Sequence, residues 1–223
     1  MLPSPSSELT VATPLGPARA YVHPAAQATT TLVLGHGAGT GVQRSPDLLA
    51  LAAALPAVGV TVVLLDQPWV VAGQRVAPAP PRLDVAWLAA LEQLQVTGAL
   101  VLGGRSAGAR VACRTAAALG ASGVLALAFP LHPPGRPERS RAGELTAVRV
   151  PLLVVQGETD SFGGPAEVRA ALGSRDASAP AEVCGVPGDH GFRVGKTAGL
   201  SASDVRARIT EAVAGWLTTL PRS

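Results

Sequence analysis

A serine, a histidine and two acids stand in this chain at places where apolar runs give out, and together they could carry acyl transfer through a covalent intermediate. Gly104-Arg105-Ser106-Ala107-Gly108 follows the apolar run 98–102 and opens the Ala-rich stretch 107–119. A serine is therefore expected where a buried strand turns sharply into a helix, the context that makes G-x-S-x-G a nucleophile elbow. The glycines have a steric reason: the turn strains the serine backbone, and side chains at Gly104 and Gly108 would collide with the neighbouring strand and helix. In a chain with 25 glycines the pentapeptide alone arises by chance, so the weight falls on its companions.

A serine nucleophile needs a base, and the base needs an orienting acid. The last apolar run, 181–186, leads into Pro187-Gly188-Asp189-His190-Gly191-Phe192, and the preceding run, 152–155, leads through Gln156 into Gly157-Glu158-Thr159-Asp160. The chain order Ser106, Asp160, His190 is that of strand-to-helix serine enzymes. Glu158 and Asp189 compete for the acid's place, Asp189 weakly because adjacent side chains on an extended loop point apart. His36 precedes the nucleophile, and His132 lies among prolines, so a structural or pocket role is expected of both. Two backbone donors should receive the oxyanion: Ala107 N–H at the start of the helix, and Ala38 N–H in Gly35-His36-Gly37-Ala38-Gly39. This glycine loop has no G-x-G-x-x-G register and no following lysine, which argues against a phosphate cradle. Gly195-Lys196-Thr197 imitates the end of a Walker motif, but His190 stands where its first glycine is required.

Those residues need a scaffold that brings strand ends to one edge. Strands are expected at 9–12, 18–22, 30–34, 60–65, 98–102, 123–128, 151–156 and 181–186, the first two joined by a turn at Pro14-Leu15-Gly16. Helices are expected from Ser45-Pro46-Asp47 with Ser45 as its cap, over 83–95, from Ala107 to near Gly120, over 165–172 and over 201–220. From residue 30 onward strands alternate with helices, and the strands are continuous apolar runs. That pattern marks a mostly parallel sheet covered on both faces.

At 223 residues and 48% hydrophobic composition the chain suits one domain, 1–223, with 1–8 and 221–223 loose. The run 48–65 carries no charge and is long enough to suggest a membrane span, but Pro56 and Gly59 divide it into a helix and a strand. The net charge of +3 comes from arginines scattered along the chain plus Lys196, which does not suggest nucleic acid. Cys113 and Cys184 lack metal-ligand spacing and read as reduced thiols. With no basic and apolar leader, the N-terminus points to the cytoplasm.

Gly35-His36-Gly37-Ala38, Gly103-Gly104-Arg105-Ser106, Pro130-Leu131-His132-Pro133-Pro134-Gly135 and Gln156-Gly157-Glu158-Thr159-Asp160 together resemble the α/β-hydrolase superfamily, more narrowly its small dienelactone-hydrolase-like members. Within these they resemble a branch that includes a subunit of an animal chromatin acetyltransferase complex. The resemblance covers about residues 30–220. It implies an α/β fold of eight strands with the second antiparallel, a Ser106/His190/Asp160 triad and no metal or other cofactor.

The lid position after the sixth strand offers only 129–148, interrupted by four prolines, so no cap domain is expected. An open site should then favour small, short-chain esters, with Trp69, Leu131, Phe162 and Phe192 at its border and His36 and His132 also toward the substrate. The reading is a serine hydrolase of small carboxylic esters, with no nucleic acid or membrane partner and any protein partner unknown. The alternative is a non-catalytic scaffold of the same fold.

Overall fold

The computed structural model describes residues 7–39, 41–175, 179–195 and 199–221. Lys196 and Thr197 of the Walker-like tripeptide lie outside them. Eight strands form one sheet in the order β1-β2-β4-β3-β5-β6-β7-β8. They are β1 (Ser7–Val11), β2 (Ala18–His23), β3 (Thr30–Gly35), β4 (Val60–Asp66), β5 (Ala99–Arg105), β6 (Gly123–Leu127), β7 (Leu152–Gly157) and β8 (Ala181–Val186). Only β2 runs against the rest, pairing antiparallel with β1 and β4. Every pair from β4 through β8 is parallel.

The helices are α1 (Pro46–Ala54), α2 (Pro68–Val71), α3 (Pro80–Leu91), α4 (Ala107–Thr115), α5 (Ala142–Thr146), α6 (Pro165–Leu172) and α7 (Ala202–Thr219). Because strand side chains alternate between faces, the sheet splits its core in two. Val33, Val63, Leu65, Leu102 and Val154 pack with Trp87, Val111 and Val168 on one face. Leu32, Leu34, Val62, Leu64 and Val155 pack with Leu48, Leu51, Ile209 and Trp216 on the other. Sheets clad on both sides in this way need apolar residues at successive strand positions, which is why the strands read as unbroken runs.

Several local expectations are revised. β1 begins at Ser7, with Ser7 opposite Val22 and Glu8 opposite Tyr21, so those two residues are paired rather than loose. Ser45 stands at the N-cap of α1, yet its hydroxyl donates to Gly41 C=O at 3.2 Å and makes no side-chain cap. The helix expected from residue 83 starts at Pro80, because the fixed φ of proline suits a helical first turn, and it ends at Leu91 in tighter turns through Leu94. The helix after Ser106 is regular only to Thr115, and the chain turns on to Gly120, whose φ of 60° ends it. The uncharged run 48–65 divides as expected: α1 passes into a short 3₁₀ turn, and Gly59 at φ 82° turns the chain into β4. No helix among the described residues is long and apolar enough to cross a membrane.

The ends of β3 and β5 and the start of α4 approach backbone to backbone. A Cβ at Gly104 would lie 2.6 Å from Gly35 O and 2.8 Å from the carbonyl carbon of Gly108, and one at Gly108 would strike Gly35 C=O. Backbone on both sides cannot yield as a side chain can. Gly108→Ala is therefore expected to lower stability by about 3 kcal/mol, the upper range for overpacking. Urea unfolding of the two proteins checks it.

Candidate active site

Ser106 follows β5 with φ 53° and ψ −109°, a conformation rarely held by a non-glycine residue. Such strain costs on the order of 1–3 kcal/mol and persists only where its surroundings over-determine it. Here Ser106 N–H donates to Leu127 C=O at the end of β6 (2.9 Å), and Ser106 C=O accepts from Arg110 N–H in α4 (3.2 Å). The turn pushes the hydroxyl out at the carboxyl edge of the sheet, where ligands of open α/β sheets bind.

His190 reaches the same edge from the loop after β8. Its Nε2 lies 3.0 Å from Ser106 Oγ, and its Nδ1 lies 2.8 Å from Asp160 Oδ2. Asp160, in the loop after β7, has a fully buried carboxylate. Besides His190 it accepts from Gln156 Nε2 on Oδ2 (2.8 Å) and from Phe162 N–H on Oδ1 (2.8 Å). With an acceptor at Nδ1, the ring carries its proton there and turns the Nε2 lone pair toward the serine hydroxyl. The other acids are engaged elsewhere. Asp189 Oδ1 accepts from Gly191 and Arg193 N–H (2.7 and 3.0 Å) and shapes the loop that presents His190, while Glu158 is exposed.

Two supporting residues were missed in the sequence. Gln156 is fully buried and accepts from Phe129 N–H (2.9 Å) while donating to Gly163 C=O (2.7 Å) and Asp160. It thereby links the loops after β6 and β7; a lone amide closing an apolar strand was its only signal. Arg105, next to the serine, donates from Nη2 to His190 C=O (2.9 Å), and its Nε stands 3.4 Å from Asp47 Oδ2 without hydrogen-bond alignment. Burial pushes the Asp47 carboxyl up, and the Arg105 guanidinium opposes that shift. Asp47, in the first turn of α1, thus ties α1 to the serine turn.

The three histidines near the site differ in what their partners require. His36 Nε2 accepts from Gln67 N–H (3.1 Å), so Nδ1 must donate to Gly37 C=O (2.7 Å) and the ring is neutral. Burial likewise pushes its pKa down. Both nitrogens are thus committed to holding the glycine loop, and the role toward substrate expected of His36 reduces to ring carbons. Gly37 in turn packs on the nucleophile, a Cβ position there lying 3.6 Å from Ser106 Cβ, with Ala38 exposed just beyond. Ala107 opens α4, where first-turn N–H groups have no intrahelical acceptor.

His132 has acceptors at both nitrogens, Pro133 C=O (3.0 Å) and Glu167 Oε1 (3.1 Å). The Pro133 carbonyl first, then Glu167, raise its pKa above the ordinary histidine value. It clamps the β6 loop to α6. Of the aromatic and aliphatic border, Phe162 lies on His190 with ring centroids 4.2 Å apart. Trp69 is buried and meets His36 edge-on at 5.3 Å. Leu131 is buried against Gly163. Phe192, expected at the border, is instead buried in the core cluster that includes Val205 and Ile209.

The segment after β6 is anchored to the scaffold. Arg110 grips Glu144 of α5 in a bidentate pair from Nε and Nη2 (2.8 and 2.6 Å), and Arg141 donates to Pro130 C=O (2.9 Å). Both cysteines are free, and burial pushes the Cys113 thiol up to about 12, so it offers no thiolate. No cluster of three or more His, Cys, Asp or Glu suited to a metal occurs among the described residues.

The sequence matches the family model described as Alpha/beta hydrolase domain over residues 28–218. No curated protein matches it. Among solved structures, it is similar to a lidless α/β serine hydrolase from Xanthomonas campestris, at 25% identity over 100% of this chain and 99% of that one, with a TM-score of 0.69. It is also similar to a dienelactone hydrolase from Anabaena variabilis (18% identity, 97% and 98% covered, TM-score 0.69). An esterase from Pyrococcus furiosus shares the fold at 14% identity (97% and 92% covered, TM-score 0.71).

The raised pKa of His132 predicts a sign for pH dependence. Protonated His132 stabilises the folded chain fully below its unfolded value of about 6.5, and this contribution fades as pH rises through the higher folded value. The Glu167 carboxyl is 55% exposed, so screening keeps the effect below about 1 kcal/mol. The melting-temperature gap between wild type and His132→Gln should be wider at pH 6 than at pH 9. NMR titration of His132 should give a pKa that falls in Glu167→Gln.

Proposed function

Because the chain belongs to the α/β-hydrolase family, we propose that it is a serine hydrolase that cleaves small carboxylic esters through an acyl-enzyme. The observation that carries this reading is the hydrogen-bonded line from Asp160 through His190 to a strained Ser106. Ser106 Oγ attacks the ester carbonyl carbon as His190 Nε2 takes its proton. The carbonyl oxygen becomes an oxyanion facing the N–H groups of Ala38 and Ala107. The tetrahedral adduct then collapses, the C–O bond to the alcohol breaks, and His190 returns the proton to the departing oxygen. Water, deprotonated by the same nitrogen, attacks the acyl-serine and releases the acid and free Ser106. Asp160 holds the Nδ1–H tautomer and stabilises the imidazolium formed at each step.

Small substrates are favoured because the chain between β6 and β7 is pinned to α4 by the Arg110–Glu144 pair, leaving the serine edge open. The reading needs no cofactor, names a small-molecule ester as ligand and keeps the chain in the cytoplasm, which two free thiols suit. A scaffold that binds partners on the same fold, the direction suggested by the resemblance to the chromatin-complex branch, makes the opposite prediction below.

A fluorophosphonate should label wild type at Ser106, and Ser106→Ala should abolish labelling while the circular dichroism spectrum is retained. Equal labelling of the two proteins, or none of the wild type, defeats the proposal. Asp160→Asn should lower kcat for p-nitrophenyl acetate by about 10⁴-fold through the wrong His190 tautomer. Near-normal turnover would move the acid's role elsewhere.

A further inference from the structure

On the side of β5 away from His190, the loops after β3 and β4 enclose a slot against the serine turn. It is lined by His36, Gly37, Trp69, Leu83, Ala107 and Val111 and has a volume of about 10 Å³. A second, mostly apolar cavity of about 70 Å³ is lined by Leu15, Pro68, Trp69, Ala72, Pro78 and Ala86, with Arg82 also on its wall. The two share the segments that follow β4 and that start α3. Ala77 faces the first and Pro78 the second, Leu83 the first and Ala86 the second, and Gln67 and Trp69 face both. Trp69 lines both, 6% exposed, edge-on to His36, its indole Nε1 without a hydrogen-bond partner.

The side on which the slot lies decides which half of an ester it takes. The departing alcohol oxygen must receive its proton from His190, which arrives from β8 with Phe162 against it. The alcohol therefore leaves toward the loops of β6 to β8. The acyl group, on the other side of the carbonyl carbon, points toward β3 and β4, where the slot begins beside Gly37 and Ala107 next to the serine. A cavity of about 10–15 Å³ by this measure holds a single water, so the slot accepts an acyl tail of one or two carbons before it meets the indole.

We propose that Trp69 is the specificity-determining wall of an acyl subsite, restricting this chain to esters of short unbranched acids and closing off a second chamber already formed behind it. This rests on the ester-hydrolase reading. Removing the indole joins the two cavities into one channel. Each methylene then buried should raise kcat/KM about fourfold, the equivalent of ~0.8 kcal/mol.

The test is the kcat/KM profile over p-nitrophenyl acetate, butyrate, hexanoate and octanoate for wild type, Trp69→Ala and Trp69→Phe. Wild type should favour acetate and fall already at butyrate, Trp69→Ala should peak at hexanoate or octanoate, and Trp69→Phe should shift the peak by one or two carbons. Phe keeps an aromatic edge on His36, so this variant carries the test if the alanine variant fails to fold. Adding Ala86→Trp to Trp69→Ala refills the chamber and should restore the short profile. A wild-type-shaped profile in a folded variant that still takes the fluorophosphonate overturns the inference and leaves the hydrolase reading standing. No ester turnover and no Ser106 labelling in wild type overturns both.

Discussion

The close backbone approach of β3, β5 and α4 governs the rest of the molecule. Gly104 and Gly108 leave room for the carbonyl of Gly35 where any side chain would intrude, and that contact forces β5 to turn into α4 within one residue. Ser106 absorbs the turn at φ 53°. The same contact brings the loop after β3, with Gly37, against the serine, so nucleophile and neighbouring backbone donors are placed by one packing event. The strain is held by hydrogen bonds from β6 and α4 on either side, which is how a costly conformation survives in a stable fold.

Around this centre the buried polar groups are matched donor to acceptor, and the matching sets protonation. His36 has one donor and one acceptor and stays neutral. His132 has two acceptors and is drawn toward its charged form. His190 lies between a carboxylate and a hydroxyl, the arrangement of a general base. Gln156 anchors the acid by joining Asp160, Phe129 and Gly163 inside a dry interior, where an unmade hydrogen bond is expensive. Arg105 completes the frame from the solvent side by holding the His190 carbonyl.

Much of this was legible in the chain because it is local. The elbow needs glycines two residues to either side of the serine, and buried parallel strands need unbroken apolar runs. A break such as Pro56–Gly59 must end one element before another begins. Where the reading slipped, a partner or neighbour other than the expected one won. Ser45 sits at a cap position but bonds to Gly41, and Pro80 starts a helix that the proline-rich run before it obscured. Ser7 and Glu8 look featureless until β2 pairs with them.

The chain by itself determined the fold class, the strand-turn-helix around Ser106 and the order Ser106, Asp160, His190, since each depends on residue types within a few positions of one another. Only the tertiary structure decided which acid meets His190, which tautomers His36 and His132 adopt, that Phe192 is buried in the core, and that Trp69 lines two neighbouring cavities. Those are questions of direction and distance between residues on different elements. A side chain's type says what it can bond, but the packing of the sheet and helices chooses the partner that it faces.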